Sequence, residues 1–177
     1  FEQELKKSTG SEYVAKGTRY SDANKPSAGN KQLKIKTIEP LKDLFKDEIK
    51  VVAKELGLPD SIIFRQPFPE SGLSARIAGE VTPARLKILR EANQCLVEEI
   101  KDAGIYEQVW QSFAILIPPE NVIVIRCVAS TDGISADWVR LPYDILDKIA
   151  RKIMHKVSGI SRVVYDISSK PPAGIEW

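Results

Sequence analysis

SFAILIPPENVIVIRCV, Ser112 to Val128, is the stretch on which the fold turns. Ser112–Ile117 and Val122–Val128 are apolar and rich in β-branched side chains, and Pro118 and Pro119 fall in or beside their connection, so the two runs read as neighbouring strands. Arg126 alone interrupts the second run, and a guanidinium there needs either a sheet edge or a buried partner. Upstream, Thr82 is a good helix N-cap with Pro83 behind it. Leu86, Leu89, Asn93, Leu96, Val97 and Ile100 then keep helical spacing up to Gly104, which makes this the longest helix. Downstream, a helix is expected from Pro142, with Asp144 and Asp147 in its first turns, Ile145, Ile149 and Ile153 at steps of four, and Gly159 as its stop. Arg162–Ile167 reads as a last strand before a proline-bent tail, Ser168–Trp177. This order predicts an α+β unit, a single sheet with helices packed on one face.

Further towards the start, Phe64–Pro69 (FRQPFP) is held extended by its prolines and leads through Gly72 into an expected short strand, Ala75–Val81. A domain boundary is expected near Gly57–Asp60. Before it, Leu33, Ile35 and Thr37 alternate as a strand, and Pro40 opens a helix whose apolar face is Ile49, Val52, Ala53 and Leu56, with Gly57 as a left-handed stop. Ser21–Asn30 (SDANKPSAGN) has no apolar periodicity and reads as a loop.

Composition narrows the function classes. Of 177 residues 43% are hydrophobic and 28% charged, which fits a folded globular chain and not a disordered one. The formal net charge is +2, from 26 basic and 24 acidic residues, and gives no support for general nucleic-acid or membrane binding, so any anion site must be local. No apolar run approaches the roughly 20 residues that cross a bilayer. Cys95 and Cys127 suit small buried side chains in a reducing, cytoplasmic compartment. Together with His155 they supply too few ligands for a zinc site, so no metal ligand is expected. His155, the one histidine, has no nucleophile beside it in sequence and is set aside as a catalyst. Phe1 is not an initiator methionine, and no signal-peptide pattern follows it, so the chain is expected to begin inside something longer.

Three groups of residues carry candidate chemistry, each with a structural alternative. Lys42, Lys46 and Lys50 stand at steps of four among carboxylates, either a solvated helix face or a surface from which a lysine meets a phosphate. The tail SKPPAGIEW is stiffened by two prolines. It either straps the fold or grips a ligand, Lys170 at a phosphate and Glu176 accepting base N–H groups. Arg65, Arg76 and Arg126 are anion candidates whose alternative is a structural salt bridge.

Five runs in order, EPLKDLFKDEIKVVAKELGLP (Glu39–Pro59), FRQPFP…GL (Phe64–Leu73), RIAGEVTPARLKILREA (Arg76–Ala92), STDGISADWVRLPYDIL (Ser130–Leu146) and SRVVYDISSKPPAGIEW (Ser161–Trp177), resemble the glutamine-hydrolysing GMP synthetases from about Glu12 to the end of the chain. The resemblance implies a C-terminal dimerisation domain over 58–177, with a mixed sheet covered by helices, preceded over 1–57 by the end of an α/β nucleotide-binding (ATP-pyrophosphatase) domain. The implied reaction uses ATP and Mg2+ to adenylate xanthosine monophosphate and lets ammonia displace AMP, giving GMP. The implied partners are a second copy, forming a homodimer, and a glutamine amidotransferase subunit or domain. By the resemblance Lys46, Asp47 and Glu48 match a mobile lid that handles nucleotide, Lys170 and Glu176 match the residues at the phosphate and base of xanthosine monophosphate, and Thr18 and Asp22 match a loop at the nucleotide site.

Departures accompany the match. The family's SGG-x-DS phosphate loop is nowhere in the chain, nor is an amidotransferase triad. Glu70 and Ser71 stand where Gly-Pro is usual, Gly174 stands in place of threonine, and a GD-x-R ligand segment is missing between Pro119 and Asn121. Stretches omitted from a longer enzyme are the expected reason. The alternative is a non-catalytic dimerisation or regulatory module that retains only nucleotide binding.

Overall fold

The computed structural model describes residues 13–23, 36–69, 71–131 and 135–177, and the chain divides between Arg65 and Gln66 into two units. In the first unit, strands β1 (Tyr13–Ala15) and β2 (Lys36–Ile38) pair in parallel, with Tyr13 opposite Lys36. Helix α1 (Tyr20–Ala23) lies between these strands in the chain, and α2 (Lys46–Glu55) and α3 (Asp60–Ile63) follow them. Ser21–Ala23, expected as loop, lie in α1. Residues 24–35, which hold the rest of that loop and the start of the expected strand, lie outside the described residues.

The helix expected from Pro40 begins only at Lys46, because the chain first turns, the Leu44 N–H donating to the Leu41 carbonyl at 3.0 Å. Lys42 is therefore not on the helix with Lys46 and Lys50. The Glu48 side chain accepts the Phe45 N–H at 2.7 Å and so satisfies a donor at the helix start. At the other end Gly57 takes φ +78°, and the Gly57 and Leu58 N–H groups donate to the carbonyls of Lys54 and Ala53, the paired bonds of a Schellman stop. Ile49, Val52 and Ala53 are half-buried, Leu56 is exposed, and none of the described residues of this unit is buried.

The second unit carries the core. Strands β3 (Gln111–Ile117) and β4 (Val122–Ala129) pair antiparallel through their whole length, Ile117 opposite Val122, as Ser112–Val128 leads one to expect. The two-residue β5 (Asp137–Trp138) pairs antiparallel with the end of β4, and β6 (Arg162–Tyr165) pairs parallel with its beginning. The sheet is therefore mixed, with β4 at its centre.

Helix α4 (Pro83–Asp102) starts where the Thr82 side chain accepts the Arg85 N–H at 3.2 Å, and α5 (Tyr143–Lys156) starts after Pro142. Leu89, Ala92, Cys95, Leu96 and Ile100 of α4 and Ile149 and Ile153 of α5 pack with Ala114, Leu116, Ile123, Ile125 and Cys127, every second residue of the central strands. Both helices thus lie on one sheet face. Lys152 ties them together through Glu98 at 2.9 Å and Glu99 at 2.7 Å, and these carboxylates raise its ammonium above the ordinary range.

The intervening strand residues face the other way, where Phe113, Ile115 and Val124 cluster with Ile117 and with Ile175 of the tail. The expected strand Ala75–Val81 is absent. A 3-10 turn occupies Gly72–Arg76, and only Ile77 bridges to Leu116. The reason is local. Gly79, at φ +143°, donates its N–H to the Ile77 carbonyl, which turns the chain away after one pair. Side chains cover part of β3, Gln66 accepting the Ser112 N–H at 2.7 Å and Asn93 the Ala114 N–H at 3.1 Å.

Candidate functional site

The tail is fixed at the end of the sheet where β3 begins and β4 ends. Two buried arginines do this, Arg126 at 1% and Arg76 at 2% exposure. Arg126 projects from β4 on the face away from the helices, directly across from Phe113. Its guanidinium donates to the Asp166 carboxylate at 2.6 Å, the Ser168 carbonyl at 3.0 Å, the Gly174 carbonyl at 2.6 Å and the Ile175 carbonyl at 2.8 Å. A charge this deep is tolerated because one carboxylate and three carbonyls replace its water.

Arg76 lies over the Phe113 ring at 4.0 Å and donates through Nε and a terminal nitrogen to the two Glu176 oxygens, at 3.0 and 3.1 Å. The Gln111 amide adds a bond to the same carboxylate at 2.7 Å. Between these anchors, Lys170 and Ala136 exchange backbone hydrogen bonds at 2.7 and 3.1 Å, so that Lys170 is registered against the residue preceding β5. The Ser169 hydroxyl donates to Asp137 at 2.7 Å. That bond first, then Arg140, holds the Asp137 carboxyl below its usual range.

At Gly174 a Cβ would stand 2.8 Å from the Glu176 carbonyl oxygen, so any larger residue there would require the turn that Arg126 grips to shift. Trp177 is 57% exposed. The tail is therefore held by Ile175, Glu176 and its own carbonyls and not by the terminal indole.

The first unit assembles the other candidates. Thr18 donates its hydroxyl to Glu39 at 2.7 Å, and Asp22 takes two bonds from the Arg19 guanidinium, at 2.7 and 3.0 Å. The Tyr20 N–H donates to the Leu44 carbonyl, and its ring meets that of Phe45 at 4.7 Å, which draws α1 to the start of α2. Lys46 is the first residue of α2, and its ammonium is pushed below the ordinary range by burial, then by Lys50 and Arg19. Asp47 is exposed in the same turn, while Glu48 is engaged as the cap. Arg65 is exposed.

Gln111, Asp166, Asp137 and Ser169 were not singled out in the sequence. A polar Gln111 opening an apolar strand was the one available signal, since the partners of the rest lie 32 to 40 positions away.

An α+β domain whose C-terminal tail is clamped to one end of its sheet by two buried arginines is the class that fold and site define. Residues 98–177 match the family described as GMP synthase C terminal domain. The GMP synthase [glutamine-hydrolyzing] of Chlorobium luteolum is 50% identical over 159 residues, covering 83% of this chain and 31% of the relative. The enzyme of the same name from Aquifex aeolicus is 44% identical over 204 positions, and that from Synechococcus sp. strain CC9902 is 42% identical over 212, each covering the whole chain and 40% of the relative. The chain is similar to the glutamine-hydrolysing GMP synthases, and its residues 98–177 match the family of their C-terminal domain. It spans 31–40% of the length of these relatives. Two of the alignments are longer than the 177 residues of the chain, so those relatives carry additional positions within the matched span.

Proposed function

We propose that this chain is the C-terminal part of a GMP synthetase, a ligase that aminates xanthosine monophosphate to GMP through an adenylylated intermediate, spending ATP and taking ammonia from glutamine. In this reading residues 58–177 form the dimerisation and nucleotide-binding domain, and residues 1–57 end an ATP-pyrophosphatase domain. The remaining partners are a glutamine amidotransferase subunit or domain and a second copy of the chain, related by a two-fold axis. Sedimentation of the full-length protein as a monomer at micromolar concentration would count against the dimer.

The observation that carries the reading is the fixed tail. Here Lys170 is registered by a backbone pair and Glu176 by three side-chain hydrogen bonds. Lys170 supplies a cation for the phosphate of xanthosine monophosphate. Glu176 retains less capacity than an isolated carboxylate. Of about four lone-pair sites on such a group, Arg76 and Gln111 occupy two on Oε1 and Arg76 one on Oε2, and the side chain is 31% exposed. It therefore offers the base one N–H acceptor, on Oε2, with its direction set by Arg76.

In the first unit Lys46, with Asp47 and Glu48 beside it and Thr18 and Asp22 nearby in sequence to Arg19, is the candidate for contact with ATP phosphates. Arg65 remains a weaker anion candidate. Mg2+ is a different matter. Such an ion is usually held by one or two carboxylates together with the nucleotide's own phosphates; among the described residues no group of three or more His, Cys, Asp or Glu side chains converges, and no step is routed through the ion.

The test is calorimetric titration of xanthosine monophosphate into the full-length protein. Lys170→Ala and Glu176→Gln are each expected to weaken binding about ten- to a hundred-fold, as loss of a charge-assisted hydrogen bond does. Unchanged affinity in both variants would end the claim that the tail is a substrate site.

A further inference from the structure

We propose that Arg126 is a positioning residue for nucleotide binding, which shapes the loop that presents Lys170 by gripping both ends of the segment Asp166–Ile175. The inference rests on the reading that Lys170 meets the nucleotide. Arg126 is 1% exposed, so a bound nucleotide meets the loop and not this guanidinium. Its four bonds divide between the two ends of one segment: Asp166 and Ser168 where the chain leaves β6, Gly174 and Ile175 where it returns to the sheet. Lys170, Pro171, Pro172 and Ala173 lie between them.

The planar fork of arginine suits this task, since its nitrogens donate in several fixed directions at once, whereas a lysine ammonium on a flexible stem cannot span both ends. Stability alone does not require a charge here. Buried ion pairs are often replaceable by apolar side chains at little cost, and the neighbours of Arg126 on this face, Phe113, Ile115 and Val124, are apolar. What an apolar residue could not do is hold four acceptors from two chain ends in one arrangement. Besides Arg126, the segment is tied by the Asp166 N–H to the Ile125 carbonyl at 2.9 Å, the Lys170–Ala136 backbone pair and the Ser169–Asp137 bond, and internally by the Ser168 N–H to the Asp166 carboxylate at 2.8 Å and the Ala173 N–H to the Ser169 carbonyl at 3.2 Å. The first three fix its outgoing limb, so the return limb at Gly174 and Ile175 depends on the arginine, on Glu176 and on the packing of Ile175 against Phe113, Ile115 and Val124.

Arg126→Lys tests this, because it retains a cation beside Asp166 while giving up the carbonyls of Gly174 and Ile175. Calorimetry with xanthosine monophosphate would be run on the full-length wild type, Arg126→Lys, Lys170→Ala and the double variant, with amide hydrogen exchange read over residues 168–176 and a urea midpoint verifying that each is folded. Arg126→Lys is expected to weaken binding about ten-fold and to speed exchange at Lys170 and Ala173. In the Lys170→Ala background the same change should cost no more than about two-fold, because residues that act through one another are not additive. That lost effect is what a merely structural arginine would not give. Unchanged affinity in Lys170→Ala overturns the reading beneath the proposal. Weakened binding in Lys170→Ala with Arg126→Lys unchanged, or with fully additive losses in the double variant, overturns the role of Arg126 alone. Should Arg126→Lys not fold, Asp166→Asn supplies the second variant, removing the charge that seats the guanidinium. The same non-additivity with Lys170→Ala supports the proposal, and additivity refutes it.

Discussion

Replacing Arg76 by methionine isolates the pair that fixes the end of the tail. The thioether can keep packing on Phe113, where the guanidinium now lies 4.0 Å from the ring centroid, so the loss is mainly electrostatic. Two charge-assisted bonds to Glu176, at 3.0 and 3.1 Å, disappear. Breaking a fully buried pair from one side costs about 3–5 kcal/mol. The Glu176 side chain, however, keeps 31% exposure and its bond from Gln111, so water and the amide recover part of the loss. The main chain just upstream stays held through the carbonyls of Gly174 and Ile175, which keeps the carboxylate from swinging freely into solvent. A net cost of about 2–3 kcal/mol follows. Urea unfolding of the wild type, Arg76→Met, Glu176→Gln and the double variant gives the coupling energy, expected at about 2 kcal/mol with unchanged m-values. A coupling below about 0.5 kcal/mol would refute the argument, since independent sites already agree only to within that margin.

Two further outcomes follow from the core. Thr82→Ala should cost about 1 kcal/mol in urea unfolding, because the Arg85 N–H at the start of α4 loses its 3.2 Å acceptor; Thr82→Ser should cost much less, and equal losses in both would assign the effect to packing. Burial pushes the Cys127 thiol up to about 12 from the ordinary 9.0. The unfolded chain therefore releases this proton first, and its contribution to stability, complete below pH 9, declines as the pH rises towards 12, by at most about 1.4 kcal/mol per pH unit. Cys127→Ala should flatten the fall in stability between about pH 8.5 and about pH 10.5, and an unaltered slope would count against burial as the cause.

The parts of the fold that could be read in the sequence are those whose stabilising contacts repeat at short range. β3 and β4 are buried on both faces, so each is a nearly unbroken apolar run, and prolines mark the turn between them. Helices α4 and α5 announce themselves by period, by Thr82 before Pro83, and by Gly104 and Gly159, both at positive φ. The misreadings arose where one local bond overrode a pattern. Glu48 capping Phe45 sets the start of α2 in place of Pro40, and the Gly79 N–H to Ile77 bond ends a strand after one pair. β5 is two residues long and exists only because β4 offers it an edge, so no periodicity could reveal it.

The candidate site divides along the same line. Arg126 was legible as an anomaly, a guanidinium in an apolar strand that needed a partner. The partner itself was not, because Asp166 lies 40 positions downstream and Glu176 lies 100 positions from Arg76. A proline-stiffened end carrying a large indole suggests a tail pinned by its tryptophan, yet that side chain is 57% exposed, and the pinning comes from polar groups that composition would assign to solvent. For function the difference is material. An apolar strap would hold the tail without fixing the direction of any donor or acceptor. Two arginine forks hold it by its carbonyls and the Glu176 carboxylate, which sets the orientation of the groups that, in the function proposed above, meet a nucleotide.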